Sequence, residues 1–455
     1  MANSLTRRET LRKCALAGAA TWLSARGIAR GGLRQVQAAP NLSRGEGAPP
    51  SEKLNIAFVG AGGQAAFSLE NLADQNVVAL CDVDDERAAD TCKRFPRAKH
   101  YRDFRKMLDE MQKEVDAVVV ATPDHIHAPA SLLAMRLGKH VYCEKPLTWS
   151  IEEARRMAQV ARERKVATQM GTQGMAEDRS RAGVEVVRSG VLGAVREMHV
   201  WTDRAAGWWP QGVDRPKETP PVPASLQWDL WLGPAPERPY NPIYHPFRWR
   251  GWLDFGTGPL GDMGIHNAAM PYIGLNLGLP TTVEVIQRSD THSETFPAWA
   301  TLRFEFPARG TLPPVTMYWY DGIKRPSAAL LGGHEPAKNG AILVGENGTL
   351  YSIEWTGGDW HLLPKPKFAD YQPPKPSLPL SRGHHKEWVE ACKGGPATLC
   401  NFPDFASPLT EVMLLGGLAL RAGQKIEWDA ENMRTRNCPE ADRFIRRQPR
   451  KGWEV

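Results

Sequence analysis

The chain places an amine, two acids and a histidine where they could move protons. Glu144-Lys145-Pro146 follows the short apolar run Val141-Tyr142-Cys143 and precedes a helix start at Ser150-Ile151-Glu152-Glu153. That order sets Lys145 at the carboxyl end of a strand, where open α/β sheets bind their ligands. Pro146 fixes its own φ and holds Lys145 extended. An amine in such a cleft exchanges protons with a substrate hydroxyl; on an open surface Glu144 and Lys145 would be only a solvated ion pair. Further on stands Gly261-Asp262-Met263-Gly264-Ile265-His266. An Asp and a His four apart share one face of a helix. The ring can give or take a proton near neutral pH while the Asp orients it. The plainer alternative is a helix-capping Asp beside a packing His. Asp124-His125-Ile126-His127 could begin a metal site, but no second His, Cys or Asp cluster of suitable spacing completes it. No metal is expected, and this stretch reads as a loop at a cofactor cleft.

These side chains need a scaffold, and the preceding hundred residues or so supply one of a definite kind. Leu54-Asn55-Ile56-Ala57-Phe58-Val59 is an apolar β-run followed at once by Gly60-Ala61-Gly62-Gly63-Gln64-Ala65, the Gly-x-Gly-x-x-Ala dinucleotide fingerprint. Gly60 permits the tight turn and Gly62 a close backbone approach to a pyrophosphate. Ala65 lets the helix lie near the strand, and the start of that helix offers N–H groups to the phosphates. The next strand, Val77 to Asp82, ends in the acid that binds ribose hydroxyls. Asp82 would repel a 2′-phosphate, so NAD(H) is expected over NADP(H). Asp116 to Pro123 reads as a buried parallel strand, and a helix is expected from Pro129 to Leu137, stopped by Gly138.

Together, Gly60-x-Gly62-Gly63-x-Ala65, Asp82, Thr122-Pro123-Asp124-His125-x-His127 and Glu144-Lys145-Pro146 resemble the Gfo/Idh/MocA oxidoreductases. The Asp262-x-Gly264-x-His266 segment resembles that family's Asp-x-Gly-x-His motif, with Ala269 where many relatives carry an acid. The resemblance implies an α/β protein: an N-terminal Rossmann domain, then an α+β domain with a large, mainly antiparallel open sheet forming the substrate wall. It implies tightly bound NAD held by Gly60, Gly62, Gly63, Gln64, Ala65, Asp82, Thr122, Pro123, His127, Glu144, Lys145 and Gln173. It also implies Lys145, His266 and Asp262 as catalytic residues beside the nicotinamide, facing a sugar or polyol hydroxyl.

In the second half, Gly193 to Trp201 is a β-run that opens the substrate domain. Residues 208–252 are crowded with Trp, Pro, Tyr and Arg and read as an ordered loop packed over the sheet. There, Trp249 and Arg250 could offer a stacking face and a guanidinium to a sugar, or the whole segment could be a rigid cover or a subunit contact. Alternating runs at Thr282–Ile286, Ala300–Phe306 and Val315–Tyr320 fit antiparallel strands with one wet face. Asn347-Gly348 marks a hairpin, and Gly383–Cys392 a late helix of structural rather than catalytic character. The divisions expected are 1–39 leader, 40–53 linker, 54–170 Rossmann domain, 171–431 substrate domain and 432–455 arm.

Composition narrows the function classes. With 42% apolar and 24% charged residues the chain is globular, and its dispersed +6 net charge does not suit a nucleic-acid binder. Seven cysteines show neither metal nor disulfide spacing. Arg7-Arg8 before the modest apolar run Cys14–Leu23 resembles a twin-arginine (Tat) export signal, too short to span a bilayer. Export by the Tat machinery to the periplasm is therefore expected, with no stable membrane span, and a homo-oligomer. The reading is an NAD-dependent oxidoreductase acting on carbohydrate CH–OH groups. Alternatives are a glycoside hydrolase that oxidises and re-reduces its sugar with recycled NAD, since no two-carboxylate pair is evident, and a non-catalytic sugar-binding module.

Overall fold

The computed structural model describes residues 53–205 and 207–454. The leader, including Arg7, Arg8 and Cys14, lies outside the described residues, as does nearly all of the linker. The first layer is a six-stranded parallel sheet of β1 Asn55–Val59, β2 Asn76–Cys81, β3 Lys99–Tyr101, β4 Ala117–Val120, β5 His140–Cys143 and β6 Thr168–Met170. Their order is β3-β2-β1-β4-β5-β6, the doubly wound arrangement whose strand order reverses beside β1. The central strands are apolar throughout because helices cover both faces; Val118, Val119 and Val120 are fully buried.

The second sheet has nine strands in the order β13-β12-β11-β7-β10-β9-β8-β14-β15. They run β7 Val195–Thr202, β8 Thr282–Arg288, β9 Ala300–Phe306, β10 Val315–Tyr320, β11 Asn339–Gly345, β12 Thr349–Ser352, β13 Trp360–Leu363, β14 Ile426–Asp429 and β15 Arg434–Thr435. Every pairing is antiparallel except β7 with β10. The alternation in β10 buries Val315, Met317 and Trp319 while Thr316, Tyr318 and Tyr320 stay half-exposed. The Asn347-Gly348 turn joins β11 to β12. The helices Ile265–Gly274 and Ser407–Ala422 pack on this sheet.

Three sequence expectations change. The helix expected from Pro129 begins at Asp124 and runs to Arg136, so Asp124, His125 and His127 lie in or near its first turn rather than in a loop. Pro129, inside it, cannot donate to the His125 carbonyl; Arg447 does so instead, Nη1 to oxygen at 2.9 Å. The Asp262–His266 segment is not a regular α-helix: Leu260–Gly264 forms a π-turn that runs into the helix Ile265–Gly274. The charged C-terminal stretch is not a free arm, because Arg447 and Trp453 are buried and Trp453 packs on Phe104.

Candidate active site

The glycine turn after β1 fits a dinucleotide by what it excludes. Gly60 has φ +86°, and a Cβ there would lie 2.6 Å from the Ala121 carbonyl oxygen; one on Gly62 would lie 2.9 Å from that of Arg87. Only glycine leaves the backbone this close to a ligand. Asp82 shapes the turn: Oδ2 accepts from the N–H groups of Ala61 (2.9 Å) and Gly62 (3.0 Å), and Oδ1 from that of Asp84 (3.0 Å). A carboxylate keeps further lone pairs for ribose hydroxyls. Gly60, Gly62, Gly63, Gln64, Asp82, Thr122 and Pro123 line one wall of a cleft of about 210 Å³. Ala65 does not line it; it is buried as the first residue of the helix Ala65–Asn71.

The opposite wall comes from the Trp-rich segment, through His245, Phe247, Trp249 and Arg250. This segment is therefore a strap across the nucleotide cleft as well as a neighbour of the second sheet. It docks on the residues just after β2: the Gln227 N–H donates to the Val83 carbonyl at 2.8 Å, that of Asp85 to the Ser225 carbonyl at 3.1 Å, and His245 Nε2 lies 2.8 Å from Asp84 Oδ2. Trp249 is buried in an aromatic cluster with Trp231, Trp252 and Phe255. Its ring supports Arg250, whose guanidinium sits 4.3 Å from the ring centre.

Asp124, His125 and His127 brace this cleft from beneath. Asp124 Oδ2 accepts from the N–H (3.0 Å) and hydroxyl (2.6 Å) of Thr257, joining the Rossmann layer to the Gly256–Gly264 turn. Burial pushes the Asp124 carboxyl up to about 7, although Thr257, Arg250 and Lys145 oppose it. His127 spans two carbonyls, Pro146 at 2.7 Å from Nδ1 and Thr122 at 2.9 Å from Nε2. Burial lowers its ring to about 4. It is buried and does not line the cleft. His125 likewise sits between the carbonyls of Trp231 and Phe255. Among the described residues no three His, Cys, Asp or Glu side chains converge as a metal site.

Beyond the cleft lies the polar cluster. Lys145 Nζ donates to the Asp262 carbonyl at 2.9 Å and to its Oδ1 at 2.7 Å. Asp262 also accepts from Arg204 Nη1 at 2.8 Å on Oδ2 and from Arg250 Nε at 3.2 Å on Oδ1. Burial alone would raise this carboxyl, but Lys145, Arg250 and Arg204 together hold it far below its ordinary value. The carboxylate thus orients Lys145, whereas the sequence spacing had suggested it would orient His266. The π-turn is the physical reason: its wider turn takes Asp262 out of the four-residue register of an α-helix. His266 is buried against Trp355, ring centres 5.0 Å apart, and its Nδ1 has no hydrogen-bond partner among the described residues. Burial, then the charges of Lys145 and Arg204, hold its ring well below the usual imidazole range despite Asp262, so it is neutral at pH 7.

Glu144 is buried one residue before Lys145. Gln173 Nε2 donates to its Oε1 at 3.1 Å and to the Tyr142 hydroxyl at 3.0 Å. A Cβ on Gly171 would run into its carboxylate. Burial pushes Glu144 up to about 7 against Lys145, Gln173 and Gln64. Glu144 and Gln173 thus form a prop under Lys145. Arg204 is the residue that sequence reasoning missed. It stands just past β7 in no motif, and only the pairing of β7 with β10 and β11 brings it to Asp262.

Two family models match the chain: "Oxidoreductase family, NAD-binding Rossmann fold" over residues 54–172 and "Oxidoreductase family, C-terminal alpha/beta domain" over 180–455. An inositol 2-dehydrogenase of Rubrobacter xylanophilus is 35% identical over 150 residues, 32% of this chain and 42% of the relative. A D-glucoside 3-dehydrogenase of Escherichia coli is 33% identical over 238 residues, 49% of this chain and 55% of the relative. The chain thus spans about half the length of those curated relatives. Among solved structures, the WlbA dehydrogenase of Bordetella pertussis, in complex with NADH and UDP-GlcNAcA, has a TM-score of 0.58 at 16% identity, covering 83% of this chain and 99% of that one. The aldose-aldose oxidoreductase of Caulobacter crescentus, complexed with glycerol, has a TM-score of 0.54 at 17% identity, covering 83% and 100%. At these identities the likeness is one of fold.

Proposed function

Since this chain belongs to the Gfo/Idh/MocA oxidoreductase family, with an NAD-binding Rossmann domain, we propose that it is an NAD-dependent dehydrogenase that interconverts a sugar or polyol hydroxyl and the corresponding carbonyl. The observation that carries this reading is the state of Lys145. An ammonium has three N–H donors, and two are fixed on Asp262. The third is left for a substrate oxygen, at the carboxyl end of β5, in the same layer as the glycine turn. Bound NAD supplies the hydride acceptor. In reduction the Lys145 ammonium holds the carbonyl oxygen and gives it a proton. In oxidation Lys145 first releases that proton to solvent and then takes the one from the hydroxyl, and the buried Asp262 carboxylate fixes the nitrogen in place. Neutral His266 accepts or returns a second hydrogen bond from the sugar. Glu144 and Gln173 keep the Lys145 backbone rigid. General acid–base help of this kind accelerates a reaction about 10²–10⁴-fold. Several other relatives are named for sugars or cyclitols, among them a glucose-6-phosphate 3-dehydrogenase, which supports a carbohydrate as substrate.

The test is a panel of free sugars, cyclitols and methyl glycosides with the purified protein and NAD, read by NADH absorbance. NADH formation from at least one member is expected. A glycoside split without NADH accumulation would replace this reading with redox-neutral hydrolysis. We further propose NAD over NADP, because Asp82 would face a 2′-phosphate; calorimetry in which NADP binds as tightly as NAD would refute it. Export through residues 1–39 is the third part of the proposal. A folded reporter carrying them should reach the periplasm, and Arg7→Lys with Arg8→Lys should stop it.

A further inference from the structure

The cluster around Lys145 holds more positive than negative charge. Lys145, Arg204 and Arg250 all reach one carboxylate, that of Asp262, at 2.7, 2.8 and 3.2 Å. Their side chains are only 14, 27 and 20% exposed, so water does little to solvate them. The other nearby carboxyls offset this excess only in part: Asp124 and Glu144 already accept from Thr257 and Gln173, and burial pushes each up to about 7. His266 is neutral. Holding a single buried carboxylate needs a single cation, and desolvating two more is costly unless something pairs with them.

The guanidinium groups have donors to spare. A guanidinium carries five N–H bonds in a planar fork. Arg204 gives one to Asp262; Arg250 gives one to Asp262 and one to the Phe247 carbonyl. Their remaining nitrogen atoms have no hydrogen-bond partner among the described residues. Each fork lies on an exposed aromatic face, Arg204 on Trp208 at 4.5 Å and Arg250 on Phe247 at 4.3 Å. Stacking of this kind fixes the plane and leaves its edge free, the arrangement that recognises a carboxylate or phosphate in two-point fashion. Arg250 borders the cleft lined by the glycine turn, whereas Arg204 does not line it, which sets Arg204 apart from the turn that would hold the cofactor's pyrophosphate.

Resting on the dehydrogenase reading above, we propose that the substrate is an acidic sugar, whose carboxylate or phosphate oxygens sit on the free edges of Arg204 and Arg250 while the hydroxyl to be oxidised meets Lys145. The experiment uses the full protein saturated with NAD at low ionic strength. Methyl glucoside, methyl glucuronide and glucose 6-phosphate are compared by calorimetry and by NADH formation. At least one acid should bind about tenfold or more tightly than the neutral glucoside, with the advantage shrinking as salt is added. The better of the two acids identifies the anion as carboxylate or phosphate. Arg204→Gln should bring acid and neutral affinities close to parity, and Arg204→Lys should keep part of the preference. Equal binding of the glucoside and both acids would overturn the proposal. So would an undiminished acid preference in an Arg204→Gln protein that melts like the parent. Tight, salt-sensitive binding of an acid with no NADH from any sugar would uphold the anion site and remove the dehydrogenase reading instead.

Discussion

At the scale of single residues the site depends on where protons sit. Lys145→Ala should lower kcat by roughly two to four orders of magnitude and leave NAD affinity nearly unchanged, because the nucleotide wall is built from Gly60, Gly62 and Asp82. Steady-state kinetics beside an NAD titration checks this; near-normal turnover in a well-folded variant would end the mechanism. Asp124 gives a second, independent test. Its folded carboxyl lies at about 7, above the ordinary 3.8. Its contribution to stability is therefore complete below pH 4 and is lost as pH rises through 7. Asn keeps the acceptor for Thr257 and does not titrate. Asp124→Asn should accordingly gain on the parent in melting temperature between pH 5 and pH 8, and an unchanged difference would contradict the burial argument. Lys145, Asp262, His266 and the glycine turn were legible as motifs because each is a short run of special residues. Arg204 was not, since its partner lies 58 residues away and nothing local marks it. The roles of Asp124 and His127 were also hidden: both are spent on contacts with Thr257, Thr122 and Pro146, and these depend on how the layers meet.

At the scale of elements, strands were read well and helix boundaries less so. Continuous apolar runs gave β1 and β4, and alternation gave β9 and β10, because burial on two faces or one is written directly in the residue pattern. The helix at Asp124 was hidden by Pro129, which would normally mark a start. It persists because Arg447 takes the carbonyl that Pro129 abandons. Arg447→Met should therefore cost about 1–3 kcal/mol, the penalty for a buried carbonyl left unpaired. Pro129→Ala restores an N–H within the helix, so it should recover part of that loss in the double variant. Chemical denaturation of the four proteins measures the coupling; strict additivity would refute the compensation. The π-turn at Leu260–Gly264 could not be read from spacing, because Asp262 and His266 are four apart in either kind of helix.

At the scale of the molecule, the chain does not leave the first layer when β6 ends. The strap after β7 returns to Val83 and Asp85. The helix His384–Cys392 buries Trp388 and Val389 among Leu54, Phe58 and Tyr142, and His385 Nε2 lies 2.8 Å from the Ser68 hydroxyl. Trp388→Ala should destabilise the Rossmann layer by about 3–5 kcal/mol and release nucleotide with it, although Trp388 lies more than two hundred residues beyond β6. Nucleotide release and loss of circular dichroism should follow one melting curve in the parent protein. Two separated transitions would show that the layers unfold independently.

The packing of Trp388 against β1 also bears on how such proteins can be recombined. A cut after β6 looks like a clean seam between interchangeable modules. A chimera joined there would set a foreign helix against Leu54, Phe58 and Tyr142, and its nucleotide half would be missing the ring that fills its own interior. A graft that keeps both halves intact must carry at least 53–172 and 384–392 from the donor of the first sheet, and must also match the strap at Val83 and Asp85 and Trp453 on Phe104. Exchange of substrate range by swapping halves is thus limited by a nine-residue helix whose Trp388 and Val389 pack on the first sheet.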